Sequence, residues 1–583
     1  MTRRQPTPDT RTPPNPPGMV TRLTPGTLHS RTLGALPILN DILRRMNLEA
    51  VLQAHLPPDH RRCRVPTARG LRLLVLNLLL AREPLYGLGE WALRHDPDQL
   101  GLTPEQLLAL NDDRLGRCLT AFFHCPRPSF VLDLMQHVIA EFSLDLDELH
   151  NDSTTLSFTG AYRDAAVEKS RRGQTTPAIT WGHSKDHRPD LKQLLYILTI
   201  SADGGVPVHY RTASGNVTDD TTHRGTWDLL RQIAGRRDFL YVADCKLATI
   251  DNMNYIAGQG GRFVSVLPRT RKEDAAFRDR LRAGAVVWQP LWDRCNDRGE
   301  IVDHVAVSAE PTTLPEGYPL WWFHSSRKAE LDLAARSGRL QRAEQKLRQF
   351  QARLRSPRSR QRDRARVEDA VAKILQHYEV EEYVQVTISE RLQESYRQRR
   401  RGRPGKNTEY VKTVRRRLDL EYTVRAEDLA RERQTDGTFP LVTNDLNMTA
   451  LAVLQAYKGQ PKIEKRFEQL KTDFAVAPVF LKDVGRIEAL LGVYFLVLLT
   501  EALLERELRR AMQRRGLESL PLYPEGRPCR CPTTRRLLDL FEPIQRHTLQ
   551  LPSGAASSHV TELSPLQRRL LRLLDIPETA YES

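Results

Sequence analysis

The chain has 583 residues, enough for two to four domains whose cores need no disulfide staples. Its 88 Lys and Arg against 72 Asp and Glu give a formal net charge of +16, which favours a polyanionic partner, most often nucleic acid. Seven scattered cysteines fit a reducing cytosol rather than a disulfide framework, and Cys529-Arg530-Cys531 is too sparse for a zinc site. Residues 1–25 are rich in Pro, Thr and Arg, lack the apolar centre of a signal peptide, and read as a tail that stays disordered until DNA or a partner orders it. From Leu33 to about Phe142 the apolar spacing is helical. One segment starts at a Thr103 cap with Glu105 and Gln106 in its first turn, and the last covers 130–142. Such short helices with Arg-bearing faces serve either to bind DNA or to pair subunits. The apolar runs 71–80 and 490–499 are too short for membrane spans and read as buried helices, so no membrane partner is expected.

Between about 147 and 268 the texture changes to strands alternating with helices. A strand over 149–158 holds Asp152, and 191–201 has the nearly continuous apolar run of a central strand. Residues 206–211 lead to a turn at Gly215-Asn216, a helix covers 222–235, and 238-DFLYVAD ends a strand at Asp244. With 262–267 these predict a mixed α/β sheet with a covered face. A charge is costly inside a buried strand unless it is paired or bound to metal, which singles out Asp152; an edge position or backbone hydrogen bonds would also explain it. Asp244 falls at the carboxyl end of a strand, where α/β sheets place ligands, although turns and helix caps favour Asp there too.

Residues 270–435 interrupt this pattern. A long charged helical stretch covers 327–372, strand-like segments follow at 378–389 and 408–424, and 399-RRRGRPGK-406 lies between them. The Arg401-Gly-Arg403-Pro sequence is able to lie extended in a narrow A·T-rich minor groove, or to be only a basic loop. An apolar strand returns at 439–444, and a helix is predicted over 449–471. On it Tyr457, Glu464 and Lys471 are seven residues apart and share one line, with Gln460 to the side. Ile463, Phe467 and Leu470 form the packing stripe, Glu468 is a rival acid, and Gly459 and Pro461 are positioned to kink the helix and move Tyr457 off that line. A helix over 484–512 follows, and then a Pro/Cys-containing segment and a short terminal helix at 565–574, without readable chemistry.

Two aspartates on neighbouring strands and a glutamate on a helix across the sheet suit phosphodiester chemistry. Two hard divalent ions about 4 Å apart activate a water or 3′-hydroxyl and stabilise the leaving oxygen, and they take carboxylate oxygens. No G-x-x-x-x-G-K-[ST], H-E-x-x-H or G-x-S-x-G pattern competes. His183 and His187 are one turn apart if their segment, 182-GHSKDHRPDLKQ, is helical, but Arg188-Pro189 points to an irregular connection.

At NDSTTLSFTG around Asp152, LYVADCKLA around Asp244 and the Glu464 helix, the chain resembles bacterial insertion-sequence transposases of the DDE class, in the broad IS4 group and most closely its IS1634-like branch. That group carries Tyr, two residues, Arg, three residues, Glu, six residues, Lys; here Tyr457, Gln460, Glu464 and Lys471 stand at those spacings. Gln460 departs from the pattern, leaving Lys458, Lys462 or Arg466 to supply the missing charge. The resemblance implies an RNase H-like catalytic core (147–269 and 436–512) interrupted by an inserted α+β domain (270–435), with a helical N-terminal region (26–146) and a C-terminal tail (513–583). It implies Asp152, Asp244 and Glu464 as a catalytic triad holding Mg²⁺, with Mn²⁺ as a substitute, and Tyr457, Gln460, Lys471, Arg401 and Arg403 as DNA contacts. The implied partners are double-stranded DNA, as terminal inverted repeats and target, and a second copy of the chain in the DNA complex. The implied location is the bacterial cytoplasm. A metal-dependent nuclease without strand transfer and an inactive DNA-binding regulator remain alternatives.

Overall fold

The computed structural model describes residues 27–583 apart from 172, 297, 357–358, 360–362, 475, 477–480, 552–555 and 583, so the expected tail at 1–25 lies outside the described residues. The chain divides into two compact units. One comprises Asp145–Ser157 and Thr180–Glu468, and the other contains Met1–Leu144, Phe158–Ile179 and Gln469–Ser583.

The first unit is built on a mixed sheet, ten-stranded among the described residues. Across it run Pro207–Ser214, Lys192–Ser201, Glu148–Phe158, Leu240–Ala243, Arg262–Val266, Thr438–Thr443, Pro319–Ser325, Ile301–Ser308 and Trp288–Cys295, with Thr312–Thr313 paired beside Pro319–Ser325. Glu148–Phe158, Leu240–Ala243 and Arg262–Val266 are parallel neighbours, and antiparallel pairs flank them. Lys192–Ser201, Leu240–Ala243 and Thr438–Thr443 are buried at every position, which is why they read as nearly continuous apolar runs. Helices including His223–Ala234 and Ala450–Tyr457 flank the sheet, giving a mixed α/β fold.

The boundary expected at 270 needs correction. Strands within 288–325 continue the same sheet, and Val305, Val307 and Phe323 share one core with Leu240, Val264, Leu441 and Leu454. A separate core forms only beyond Ser325. There Ser326–Arg355 and Arg364–Tyr378 pack on the base of a two-stranded ribbon, Val384–Gln398 paired with Tyr410–Val424, through Leu347, Val367, Val371, Leu418 and Leu420.

The helix expected over 449–471 is also divided. Thr449 caps Ala450–Tyr457, the chain turns at 458–460, and Pro461–Glu468 forms a second helix. Pro461 has no N–H to continue the ladder, and its ring would meet the carbonyl of Tyr457 four residues back. A π-helical turn, Gln469–Asp473, follows.

In the second unit Val484–Arg514 is the central helix. By length and composition it is apolar enough to cross a membrane, but 94% of its most apolar window is buried, and it packs against Asp112–Phe123, Thr67–Leu80 and Leu36–Arg45. The Thr103 cap is present as a reciprocal capping box with Gln106. Residues 513–583, expected as a tail, are folded. Gln545–Gln550 pairs with both Thr27–Thr32 and Ala556–Val560, and the Tyr581 hydroxyl donates to Gly34 O at 3.0 Å. The expected core segment 436–512 is likewise split, because the chain from Gln469 onward belongs to this second unit.

Candidate active site

The register of the two parallel strands brings the aspartates together. Glu148 through Asn151 pair with Leu240 through Ala243, so Asp152 and Asp244 come next on neighbouring strands, where the shorter strand ends. Asp152 Oδ1 accepts a hydrogen bond from Ser153 N at 2.7 Å, and Asp244 Oδ1 accepts one from Lys246 N at 3.0 Å. One position before Asp152, Asn151 Oδ1 accepts from Thr199 Oγ1 at 2.9 Å, tying this strand to Lys192–Ser201.

Burial pushes the Asp152 carboxyl up to about 6; Asp244 adds to the shift and Lys185 opposes it. The Asp244 carboxyl is also raised, by burial first, with Lys185 opposing and Asp219 adding. Two poorly solvated carboxyls at adjoining strand positions, one of them raised in part by the other, are suited to sharing a cation. At the end of its helix, Tyr457 has its hydroxyl pushed up to about 12, by burial and then by Asp244, Cys245, Glu464 and Asp152. All three predicted acids therefore act electrostatically on one phenol.

Glu464 is exposed on Pro461–Glu468, while Ile463, Arg466 and Phe467 are buried beneath it. This helix is pinned to the turn between Lys192–Ser201 and Pro207–Ser214. Arg466 Nε donates to Gly205 O at 2.9 Å, and Lys462 Nζ donates to Ala202 O at 2.9 Å. Lys458 Nζ lies 3.4 Å from Asp303 Oδ2. The three cations expected to replace the missing arginine are thus engaged in holding structure. At Gly459 a Cβ would come within 2.5 Å of His150 Cε1, so the turn before Glu464 needs glycine for this close approach.

The remaining expected residues are dispersed. Gln460 occupies the turn, and its Oε1 is buried without a partner among the described residues. Lys471 lies in the π-helical turn Gln469–Asp473, outside the helix that carries Glu464. Arg401 and Arg403 are exposed between the ribbon strands. His183 and His187 lie in an irregular connection, with His187 at φ 55°, and do not form a helical pair.

Two residues beside Asp152 were missed by sequence reasoning. Lys185 Nζ lies 3.0 Å from Asp219 Oδ2 and 3.4 Å from Asp152 Oδ1. Asp219 begins a 3₁₀ turn just before His223–Ala234, where an acid ordinarily reads as helix-start charge. Lys185 lies within the GHSKDHRPDLKQ stretch, which has no regular element from which to place it.

The donor chemistry fits a hard divalent ion: carboxylate oxygens, two of them on raised-pKa acids at adjoining strand positions. Among the described residues, however, no group of three or more His, Cys, Asp or Glu side chains is arranged to hold a metal. Asp152 and Asp244 directly follow the paired register, and Glu464 is not grouped with them as a third ligand.

Residues 28–133 match a family model described as a domain of unknown function, DUF4277. No curated protein matches the chain. Among solved structures, the chain is similar to one described as "Cryo-EM structure of piggyBac transposase synaptic complex with hairpin DNA (SNHP)", at 11% identity and a TM-score of 0.22. That similarity covers 50% of this chain and 59% of the other, so the chain spans somewhat over half the length of the structure it resembles.

Proposed function

We propose that the chain is a DDE-class transposase of the IS4 group, in the IS1634-like branch, cleaving DNA at insertion-sequence ends and joining the freed 3′ ends to target DNA. The observation that carries this reading is the pair of raised-pKa aspartates at adjoining positions of parallel strands, with Glu464 acting on the same phenol as both. Asp152 and Asp244 would hold divalent ions, and Glu464 would complete the set. When bound, such ions would supply Lewis acidity at phosphate oxygens. The chain's own part is to orient the carboxylates on a rigid sheet, restrict water around them, and hold the Glu464 helix by Arg466 and Lys462. Terminal inverted repeats and target DNA are the proposed partners, with a homodimer in the DNA complex and the bacterial cytoplasm as its location.

The test is cleavage of end-containing DNA in Mg²⁺ beside gel-shift binding, for Asp152→Asn, Asp244→Asn and Glu464→Gln. Each should lower cleavage by roughly a hundredfold or more, because even residues that only support metal ligands are worth 10–100-fold, while end binding persists. Near-parental cleavage by Glu464→Gln with loss in Glu468→Gln would move the role to Glu468. The ungrouped position of Glu464 favours a second reading, a DNA-binding regulator without catalysis. End binding with no cleavage by the parent would select it, and failure to join precleaved ends despite cleavage would select a nuclease.

A further inference from the structure

Four oxygens surround the Lys185 ammonium. Ser153 O lies at 2.7 Å, Ser153 Oγ at 2.8 Å, Asp219 Oδ2 at 3.0 Å and Asp152 Oδ1 at 3.4 Å. An ammonium has three protons, and the three nearer oxygens hold the better positions. Asp219 is itself tied to this arrangement, since its Oδ1 accepts from Ser153 Oγ at 2.8 Å. The backbone of Lys185 is fixed as well, with its N–H donating to Thr155 Oγ1 at 3.2 Å. Lys185 is therefore anchored on Ser153 and Asp219, and its longest contact is the one to Asp152. The charge of Asp152 is answered only in part, while that of Asp219 is answered directly.

We propose that Lys185 and Asp219 are a fixed ion pair that sets the affinity of the Asp152–Asp244 site for divalent cations, Asp219 holding the ammonium back from Asp152. This rests on the reading of those aspartates as metal carboxylates. Both members are positioning residues. The ammonium repels an incoming cation from a site that already carries crowded carboxylates, so metal loading is kept weak until the phosphates of bound DNA add negative charge. Without Asp219 the ammonium has one strong acceptor fewer and closes on Asp152, competing with the cation. Without Lys185 the carboxylate of Asp219 is left unanswered, and the site gains a unit of negative charge.

The two single substitutions must then act in opposite directions, which a purely structural pair would not do. The experiment is calorimetric titration of the full chain with Mn²⁺ alone, without DNA, at one fixed pH near 8 for every variant. Lys185→Met should bind Mn²⁺ about tenfold more tightly than the parent, Asp219→Asn about tenfold more weakly, and the double variant within about threefold of the parent. Lys185→Arg, which keeps the charge, should stay near the parent. Thermal unfolding of the metal-free proteins identifies any variant that does not fold; if Asp219→Asn fails, Lys185→Met and the double variant decide. Equal affinities throughout, or weakening by Lys185→Met, overturn the ion-pair role and leave the metal reading standing. A parent that binds no Mn²⁺ with or without DNA overturns both, whereas binding only with DNA, unlocked without DNA by Lys185→Met, supports the pair as the restraint.

Discussion

The acid end of the sheet and the long ribbon use charge in opposite ways. Around Asp152 and Asp244 two strands, Lys192–Ser201 and Leu240–Ala243, are buried throughout, so a few carboxylates are held where water solvates them poorly and their pKa values rise. The ribbon has two fifteen-residue strands, about 50 Å long at the usual rise, with its outer part exposed. Arg391 stands directly opposite Arg417 on it, and Arg399, Arg400, Arg401, Arg403 and Lys406 follow toward the tip. Like charges opposed across strands cost stability, and exposure keeps that cost small. Desolvated charge suits chemistry at a phosphate, while solvated charge suits reversible attraction to a phosphate backbone.

The ribbon itself contains the same contrast along one face. Ile388, Leu418 and Leu420 at its base pack against the two helices, whereas Leu392 and Tyr396 farther out on that face are exposed. Leu420→Ala should destabilise the core between the two helices and the ribbon by about 2–5 kcal/mol, and Leu392→Ala by less than about 0.5 kcal/mol. Hydrogen exchange of amides in 326–424 measures this without assuming that the whole chain unfolds in one step. Comparable destabilisation by both would mean that the outer ribbon is packed in solution, and the contrast along the ribbon would fail.

Asp152→Asn tests the other region, and its expected effect is a gain in stability. The folded carboxyl is raised from an ordinary 3.8 to about 6, so the fold favours the protonated form. Between these values the unfolded chain binds fewer protons than the folded one, and stability falls as pH rises through the window. Above about pH 6 the ionised group carries its full penalty, of order 1–3 kcal/mol. The asparagine variant should therefore unfold at a higher temperature than the parent at pH 7–8 and lose that advantage near pH 4. A variant less stable than the parent at pH 8 would mean that contacts with Lys185 and Ser153 outweigh burial.

The legibility of these regions in the sequence follows from the same physics. Lys192–Ser201 and Leu240–Ala243 were readable because strands buried on both faces carry nearly continuous apolar runs, and this also placed Asp244. Trp288–Cys295 was not recognised as part of the main sheet, because it is largely exposed and carries Asp293 and Arg294. Gln545–Gln550 and Ala556–Val560 are short and polar, so their pairing with Thr27–Thr32 rests on long-range hydrogen bonding that no local pattern reveals. The break after Tyr457 was foreseeable from Gly459 and Pro461. The inward approach of Lys185 was not, because an irregular connection has no period from which to read a facing direction.

The smallest expected effect is at the ribbon tip, where Arg401 and Arg403 are exposed and separated by Gly402 at φ 159°. Two exposed guanidiniums flanking a glycine, followed by Pro404, suit insertion along a minor groove, whereas a mere basic loop would attract DNA without a fixed contact. The double change Arg401→Ala and Arg403→Ala should weaken end binding several-fold at about 150 mM salt and leave the cleavage rate of bound DNA unchanged. Each phosphate neutralised by the protein contributes about one unit to the slope of log affinity against log salt, so the slope should fall by up to about two. Replacing both residues by lysine keeps the charge and should restore most of the slope, while a weakened preference for A·T-rich flanks would remain if the guanidiniums read the groove. Binding titrations at several salt concentrations, on A·T-rich and G·C-rich flanks, separate these outcomes. Parental affinity and slope in the alanine variant would reduce the tip to a solvated turn, and the proposed division between a reacting sheet and a binding ribbon would lose its second half.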